Sequence, residues 1–120
     1  MRTIILLAPR GLRLRTAVPE TRRERTRGLL GRTSLDPHEA WLFERTRSVH
    51  TFGMRFAIAV ALLDRHWVVR AVVRMPPGRV LLPRRRVRHV LELADRTDVR
   101  PGDRFEPVPA TRSRSARSSR

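Results

Sequence analysis

Residues 58–73 read IAVALLDRHWVVRAVV and predict the hairpin around which the rest of the chain folds. Ile58–Leu63 is an uninterrupted apolar run whose length suits a buried strand better than a helix. The polar segment 64–66 supplies a turn, and residues 67–73 are again apolar and rich in Val. We therefore predict two antiparallel strands that are joined at residues 64–66.

Shorter segments with strand character flank this hairpin on both sides. They are residues 3–8, 12–17, 41–43, 48–52, 87–93 and 104–108. The last of them contains Pro107 and is followed by Pro109, and a residue without a backbone N–H is confined to the edge of a sheet. We therefore predict that residues 104–108 form an edge strand.

One helix is predicted where Thr21 and Glu24 have the spacing of a capping box. Gly28 and Gly31 follow, and glycine is typical of the residue that ends a helix. The predicted elements together indicate a mainly β fold, a small antiparallel β-barrel or sandwich with one α-helix packed against it.

The composition limits both the architecture and the chemistry. The 120 residues include no Cys, which excludes disulfides, thiolate zinc sites and a Cys nucleophile. We predict one domain over residues 1–109 and a disordered tail over residues 110–120, because the tail contains almost only Arg and Ser. All 27 basic residues are Arg, and the net charge is +16. A coding preference for Arg explains part of this charge as well as selection for a positive surface does.

No segment of the sequence has the pattern of a membrane anchor. The apolar run at residues 4–8 is closed by Pro9 and Arg10, and it is shorter than the apolar core of a secretory signal. No run elsewhere reaches the roughly 18 apolar residues that span a bilayer. We therefore expect a cytoplasmic monomer without a membrane partner.

The candidate catalytic and metal-binding residues form no recognised motif. The four histidines lack the spacings of metal sites, and the sequence contains neither a nucleophile elbow nor a phosphate loop. We therefore predict no metal and no cofactor. His50 and His89 could lie close together in the fold, and we expect one of the two to be half-buried and hydrogen-bonded. Glu92 lies between two leucines, and because Arg is plentiful we expect it to form a structural ion pair.

Arg84, Arg85, Arg86 and Arg88 form the densest basic cluster of the domain. Such a cluster predicts non-specific binding to nucleic acid at low salt. No aromatic residue lies within the cluster, although stacking on aromatic side chains is usual in proteins that bind single strands. Nucleic-acid binding is therefore one alternative function.

Several segments, in this order, resemble a known family. They are GLLGRTSL at residues 28–35, HTFGMRF at 50–56, VLEL at 90–93 and Gly102-Asp103. The set is similar to the domain-of-unknown-function family DUF192, also called uncharacterised protein family UPF0127. The resemblance implies a small, mostly antiparallel β-barrel-like fold with one helix and implies no reaction. Ala57 and Ala59 stand where the family typically has Pro and Asp.

The polar residues that match the family are the candidate ligand-binding set. They are His50, Thr51, Arg55, Glu92 and Asp103. We predict a non-enzymatic module that binds a small molecule or a partner peptide at the mouth of the barrel, beside His50, Arg55 and Glu92. The other alternative is a hydrolase or lyase that uses His50 with Glu92 as its acid–base pair.

Overall fold

The computed structural model describes residues 1–110. The predicted disordered tail lies outside the described residues except for Ala110. The strands are β1 (Arg2–Leu7), β2 (Arg13–Val18), β3 (Glu39–Phe43), β4 (Val49–His50), β5 (Ile58–Leu63), β6 (Val69–Met75), β7 (Val80–Leu81), β8 (His89–Ala94) and β9 (Glu106–Pro109). Helix α1 is Arg22–Arg27, and a short 3-10 helix covers Pro9–Gly11. The predicted mainly β class with one α-helix is confirmed over these residues.

Seven strands form one sheet in the order β6-β5-β8-β3-β2-β1-β9, while β4 and β7 pair separately. Neighbouring strands are antiparallel except β2 and β3, which are parallel. The predicted central hairpin is confirmed, since β5 and β6 pair from Ile58 opposite Met75 to Leu63 opposite Val69. Its turn is held by Asp64, whose Oδ1 accepts the backbone N–H groups of His66 (2.8 Å) and Val68 (3.1 Å).

The predicted barrel is not confirmed, because the seven-stranded sheet remains open. Its two edges, β6 and β9, meet at one corner through a bridge between Val68 and Arg104. There Phe105 donates its N–H to the carbonyl of Trp67 (3.0 Å). In the antiparallel register of this bridge, the residues after Arg104 run towards the β5–β6 turn, while β6 runs from Val69 in the other direction. The two edge strands therefore diverge from the corner, and among the described residues β9 pairs only with β1.

The sheet is buried on both faces, and each face has its own apolar cluster. The first cluster contains Leu42, Leu91 and Phe105, and the second contains Phe43 and Val90. Side chains alternate along a strand, so β5 contributes three residues to each cluster, and all six are buried. The unbroken apolar sequence of β5 follows from this position between two cores.

Helix α1 begins with the predicted capping box. Thr21 Oγ1 accepts the N–H of Glu24 (3.1 Å), and Glu24 Oε1 accepts the N–H of Thr21 (3.1 Å). The helix itself buries no residue; the chain after it is anchored by Leu29, which belongs to the second cluster. Leu30, the next residue, is by contrast 37% exposed. Within the described residues, no helix is long and apolar enough to cross a membrane.

Candidate ligand-binding cavity

A cavity of about 470 Å³ opens between α1, the chain before and after β4, and strand β8. We call it the α1 cavity. Its buried wall is formed by Leu29, Phe43, Val90 and Glu92. Its mouth is formed by exposed or half-exposed residues of the helix and of the chain around β4. They are Arg22, Arg25, Arg27, Ser48, His50 and Phe52.

Among residues 1–110, Glu92 is the only carboxylic acid that lines this cavity. Strand β8 lies between β3 and β5, so the residues opposite Glu92 are Trp41 and Val60. Its side chain is 5% exposed, and it has no hydrogen bond or ion pair with any group of residues 1–110. Burial raises the pKa of Glu92 to about 8. At neutral pH the group is therefore mainly a neutral acid, with an O–H to donate.

The ion pair that we predicted for Glu92 is absent from the described residues. Its cross-strand neighbours are a Trp and a Val, and the nearest arginines of the cavity lie at the mouth. The Arg side chain is long and carries five N–H donors, and taking its charge out of water is costly, so the guanidinium stays in solvent unless a site inside satisfies those donors. The strand pattern predicted that Glu92 was flanked by buried leucines, but it could not identify the residues on the adjacent strands.

His50 lies at the mouth and is exposed. Its ring stacks on Phe52 with 5.1 Å between centroids, and its Nδ1 accepts the N–H of Phe52 (3.3 Å). Nε2 has no partner among the described residues. His50 thus offers a free ring nitrogen and an aromatic face at the entrance, in the same cavity as Glu92.

Three arginines give the mouth its positive charge. Arg25 donates to Thr46 Oγ1, which fixes its guanidinium at the cavity edge. Arg22 and Arg27 have no ion-pair partner within residues 1–110. Because their donors are not engaged by a carboxylate, they are available to an anion. The sequence located the helix that carries them, and no signal in it indicated that they border a cavity.

Thr51 does not line the cavity but fixes the segment that does. Its buried Oγ1 donates to the carbonyl of Pro76 (2.7 Å) and accepts the N–H of Arg79 (2.9 Å). Gly53 then has φ +79°, and a Cβ there would lie 3.1 Å from Leu30 Cδ2. The turn after β4 therefore packs against the chain after α1, and these contacts define one side of the mouth.

Two other residues of the predicted ligand-binding set lie outside the cavity lining. Arg55 is exposed. Asp103 is buried and receives two hydrogen bonds from Arg10 (2.6 and 3.1 Å) and one from the N–H of Arg100 (2.9 Å). Arg10 holds the pKa of Asp103 below its usual value. The carbonyl of Asp103 accepts the N–H of Val69 (2.8 Å), so this residue stabilises the corner where the sheet edges meet.

The histidine that is half-buried is His89. Its Nδ1 accepts the N–H of Arg45 (3.1 Å), and its ring stacks on Trp67 with 4.9 Å between centroids. Burial lowers its pKa. His89 therefore matches the half-buried, hydrogen-bonded histidine that we expected, and it does not line the cavity with His50.

The predicted basic cluster, Arg84, Arg85, Arg86 and Arg88, is exposed throughout. Two of its members border a second depression beside the β5–β6 turn, together with two arginines of that hairpin. Its lining is Asp64, Arg65, His66, Arg70, Arg86, Val87 and Arg88. The tertiary structure thus extends the basic surface across two loops. Among residues 1–110, no three His, Asp or Glu side chains are grouped as metal ligands would be.

The structure so far defines a small mainly β domain in which a capped helix covers a cavity with a buried acid. The chain belongs to DUF192, a family of uncharacterised proteins, whose model matches residues 5–107. The predicted resemblance is confirmed. Ala59, which departs from the family pattern, packs in the first cluster and does not line the α1 cavity.

Two solved structures share the fold. One is a protein from Sinorhizobium meliloti 1021 described as a "putative transcription regulator"; it is 24% identical, with 88% of this chain and 92% of that chain covered and a TM-score of 0.71. The other is a protein of unknown function from Novosphingobium aromaticivorans DSM 12444. It is 20% identical, with 87% and 83% covered and a TM-score of 0.72. A search of curated proteins found no match.

Proposed function

We propose that this protein is a small-ligand-binding module whose ligand enters the α1 cavity and pairs with Glu92. The observation that carries the proposal is a buried carboxyl group, without a partner among residues 1–110, in the wall of an open cavity. A buried polar group without a partner costs about 1–3 kcal/mol. A ligand that hydrogen-bonds to Glu92 offsets part of this cost.

The remaining lining restricts the kind of ligand. The cavity volume, about 470 Å³, is within the range of small-molecule sites. Leu29, Phe43 and Val90 offer an apolar wall, and Arg22 and Arg27 offer unpaired cations at the mouth. A compact molecule with an apolar body and an anionic outer group fits these features best.

The experiment blocks the mouth and measures the binding of an amphipathic anion. We expect 1-anilinonaphthalene-8-sulfonate to bind the folded chain and gain fluorescence, because its rings suit the apolar wall and its sulfonate suits the arginines. Ser48→Trp fills the mouth and should weaken this binding at least tenfold. Ser34→Trp is the control, since Ser34 is also exposed and lies outside the lining. Equal binding by both variants would contradict the proposal.

An acid–base enzyme is the second candidate, because His50 and Glu92 line one cavity. Glu92, mainly a neutral acid at pH 7, has an O–H to donate as a general acid; because His50 Nδ1 accepts the N–H of Phe52, Nε2 carries the proton of the neutral ring, so His50 acts as the base only once that hydrogen bond is released. Turnover of 4-nitrophenyl esters that is lost in both His50→Gln and Glu92→Gln would support it. A rate no greater than that of buffer would exclude esters as its substrates.

A further inference from the structure

We propose that the ligand of the α1 cavity is a zwitterion, with an ammonium group on Glu92 and a carboxylate at the arginine mouth. This inference rests on the proposed function and names its ligand class. The structure supplies an isolated acid at the inner end and unpaired guanidinium groups at the outer end. An amphipathic molecule with opposite charges at its two ends is complementary to both.

At the inner end of the cavity, Glu92 has no counter-charge among the described residues. Among the described residues, the charged and titratable side chains that line the cavity are Glu92, His50 and three arginines, and none of the other four pairs with Glu92. On the strands that pack against β8, the residues opposite Glu92 are Trp41 and Val60, which carry no charge. A carboxylate in such surroundings gains most from a cation that arrives desolvated beside it.

The outer end explains why a simple amine does not suffice. Arg22 and Arg27 are exposed at the mouth and have no acidic partner among residues 1–110. Arg25 lies beside them and is hydrogen-bonded to Thr46. These positive charges repel an amine that approaches alone. A carboxylate on the same molecule is attracted by the guanidinium groups, which bind carboxylates through paired N–H donors.

The number of protons released when the ligand binds depends on the charge state of Glu92. In the free protein near pH 7 its carboxyl group is mainly protonated, since burial raises its pKa to about 8. The ligand enters as an ammonium, the Glu92 O–H bond breaks, and the proton passes to the buffer. The complex then holds a carboxylate against an ammonium. Binding at pH 7 therefore releases close to one proton, and a ligand that only accepts a hydrogen bond from Glu92 releases none.

The test is calorimetric titration of the full chain with 4-aminobutanoate, 6-aminohexanoate and 8-aminooctanoate, in phosphate and in Tris. Hexanoate and hexylamine are the ligands with one charge. We expect at least one amino acid of the series to bind ten times more tightly than either of them. The enthalpies in the two buffers should differ by the heat of ionising close to one proton.

Variants separate the two ends. Glu92→Gln should weaken the amino acid at least tenfold and abolish proton release. Arg22→Gln should weaken amino acids and hexanoate but leave proton release unchanged. Arg13→Gln, an equal change of charge at an exposed residue outside the lining, should have no effect.

The outcomes distinguish this inference from the function on which it rests. Hexanoate that binds as tightly as the amino acids, or tight binding without proton release, would overturn the zwitterion. The same follows if no member of the series binds while the sulfonate dye still binds in a manner sensitive to Ser48→Trp. If the dye too binds equally to both Trp variants, the proposed function fails with it.

Discussion

Glu92 couples the stability of the fold to pH, and the direction of the effect follows from its burial. In the unfolded chain its pKa is near the ordinary 4.5, while in the folded chain it is about 8. Between these values the unfolded state loses a proton that the folded state keeps. The stability that Glu92 contributes to the folded state is therefore fully present below pH 4.5, is lost as the pH rises to 8, and does not change further above that. Each unit of difference between the folded and unfolded pKa corresponds to about 1.4 kcal/mol in the free energy of unfolding.

Glu92→Gln should remove this dependence, because the amide is neutral at every pH. We expect the variant to be more stable than the parent at pH 9, by on the order of 4 kcal/mol, and close to it at pH 5. Urea unfolding at the two pH values measures the difference. If the free energies of unfolding of the parent and the variant differ by the same amount at pH 5 and at pH 9, then Glu92 is hydrated or paired in the folded chain.

Two other family-matched polar residues, Thr51 and Asp103, have structural contacts. Thr51 ties two loops together through its hydroxyl group, and Asp103 holds Arg10 and the backbone of Arg100 at the corner of the sheet. A matched polar residue in a family motif is therefore compatible with either role. The hydrogen-bond partners distinguish the two roles here: Glu92 has none among residues 1–110, whereas Thr51 and Asp103 are fully engaged.

At the scale of elements, the cavity depends on a helix too short to be stable alone. Helix α1 has six residues and buries none of them, so its position relies on its capping box and on Leu29 behind it. Short helices are marginal without such support. The loop around β4 is similarly fixed from outside, by Thr51 and by the contact of Gly53 with Leu30.

Thr21→Ala should destabilise the protein and loosen the cavity together. Removal of an N-cap hydroxyl costs about 1 kcal/mol. Because α1 carries Arg22, Arg25 and Arg27, we also expect weaker binding of the sulfonate dye. Thr33→Ala is the control, since Thr33 is exposed and has no cap role. Thermal unfolding and dye titration measure both effects; a variant with the parent's midpoint and affinity would show that the cap is not required.

The whole molecule carries the net charge of +16, and the tertiary structure concentrates part of it. The cluster at residues 84–88 lies beside Arg65 and Arg70 of the β5–β6 hairpin, around a depression with one carboxylate. Guanidinium groups on such a surface attract phosphates in general. Among the described residues that line this depression, none is a Trp or Phe on which an unpaired base could stack, so the surface offers charge alone.

We therefore expect duplex DNA to bind weakly and without sequence preference. The affinity should fall steeply between 50 and 200 mM salt, because each phosphate contact releases a counterion, with a log–log slope of about −0.9 per contact. Replacing Arg84, Arg85, Arg86 and Arg88 with Gln should make this slope shallower. A binding site preferred at physiological salt would instead support the nucleic-acid alternative over the small-ligand module.

Local sequence was sufficient where an interaction spans a few residues. The central hairpin, the capping box and the edge position of the Pro-containing last strand all depend on periodicity or on a missing N–H, and all three are confirmed. The predicted closed barrel is not confirmed because closure depends on how the two edges of the sheet meet. Among the described residues they meet around Val68 and Arg104, which are far apart in the sequence, and β6 and β9 run away from each other from that point.

The site required the tertiary structure for the same reason. The alternation along β8 placed Glu92 and its two leucine neighbours on different faces of the sheet. The cross-strand neighbours of Glu92 could not be predicted, since Trp41 and Val60 lie on strands remote in sequence. Sequence thus predicted the family and the mainly β class, both of which are confirmed, and it singled out His50 and Glu92, which line the α1 cavity. Only the packing of α1 and the β4 loop over β8 leaves that acid unpaired beneath a mouth of arginines, because burial and charge pairing are properties of distant neighbours.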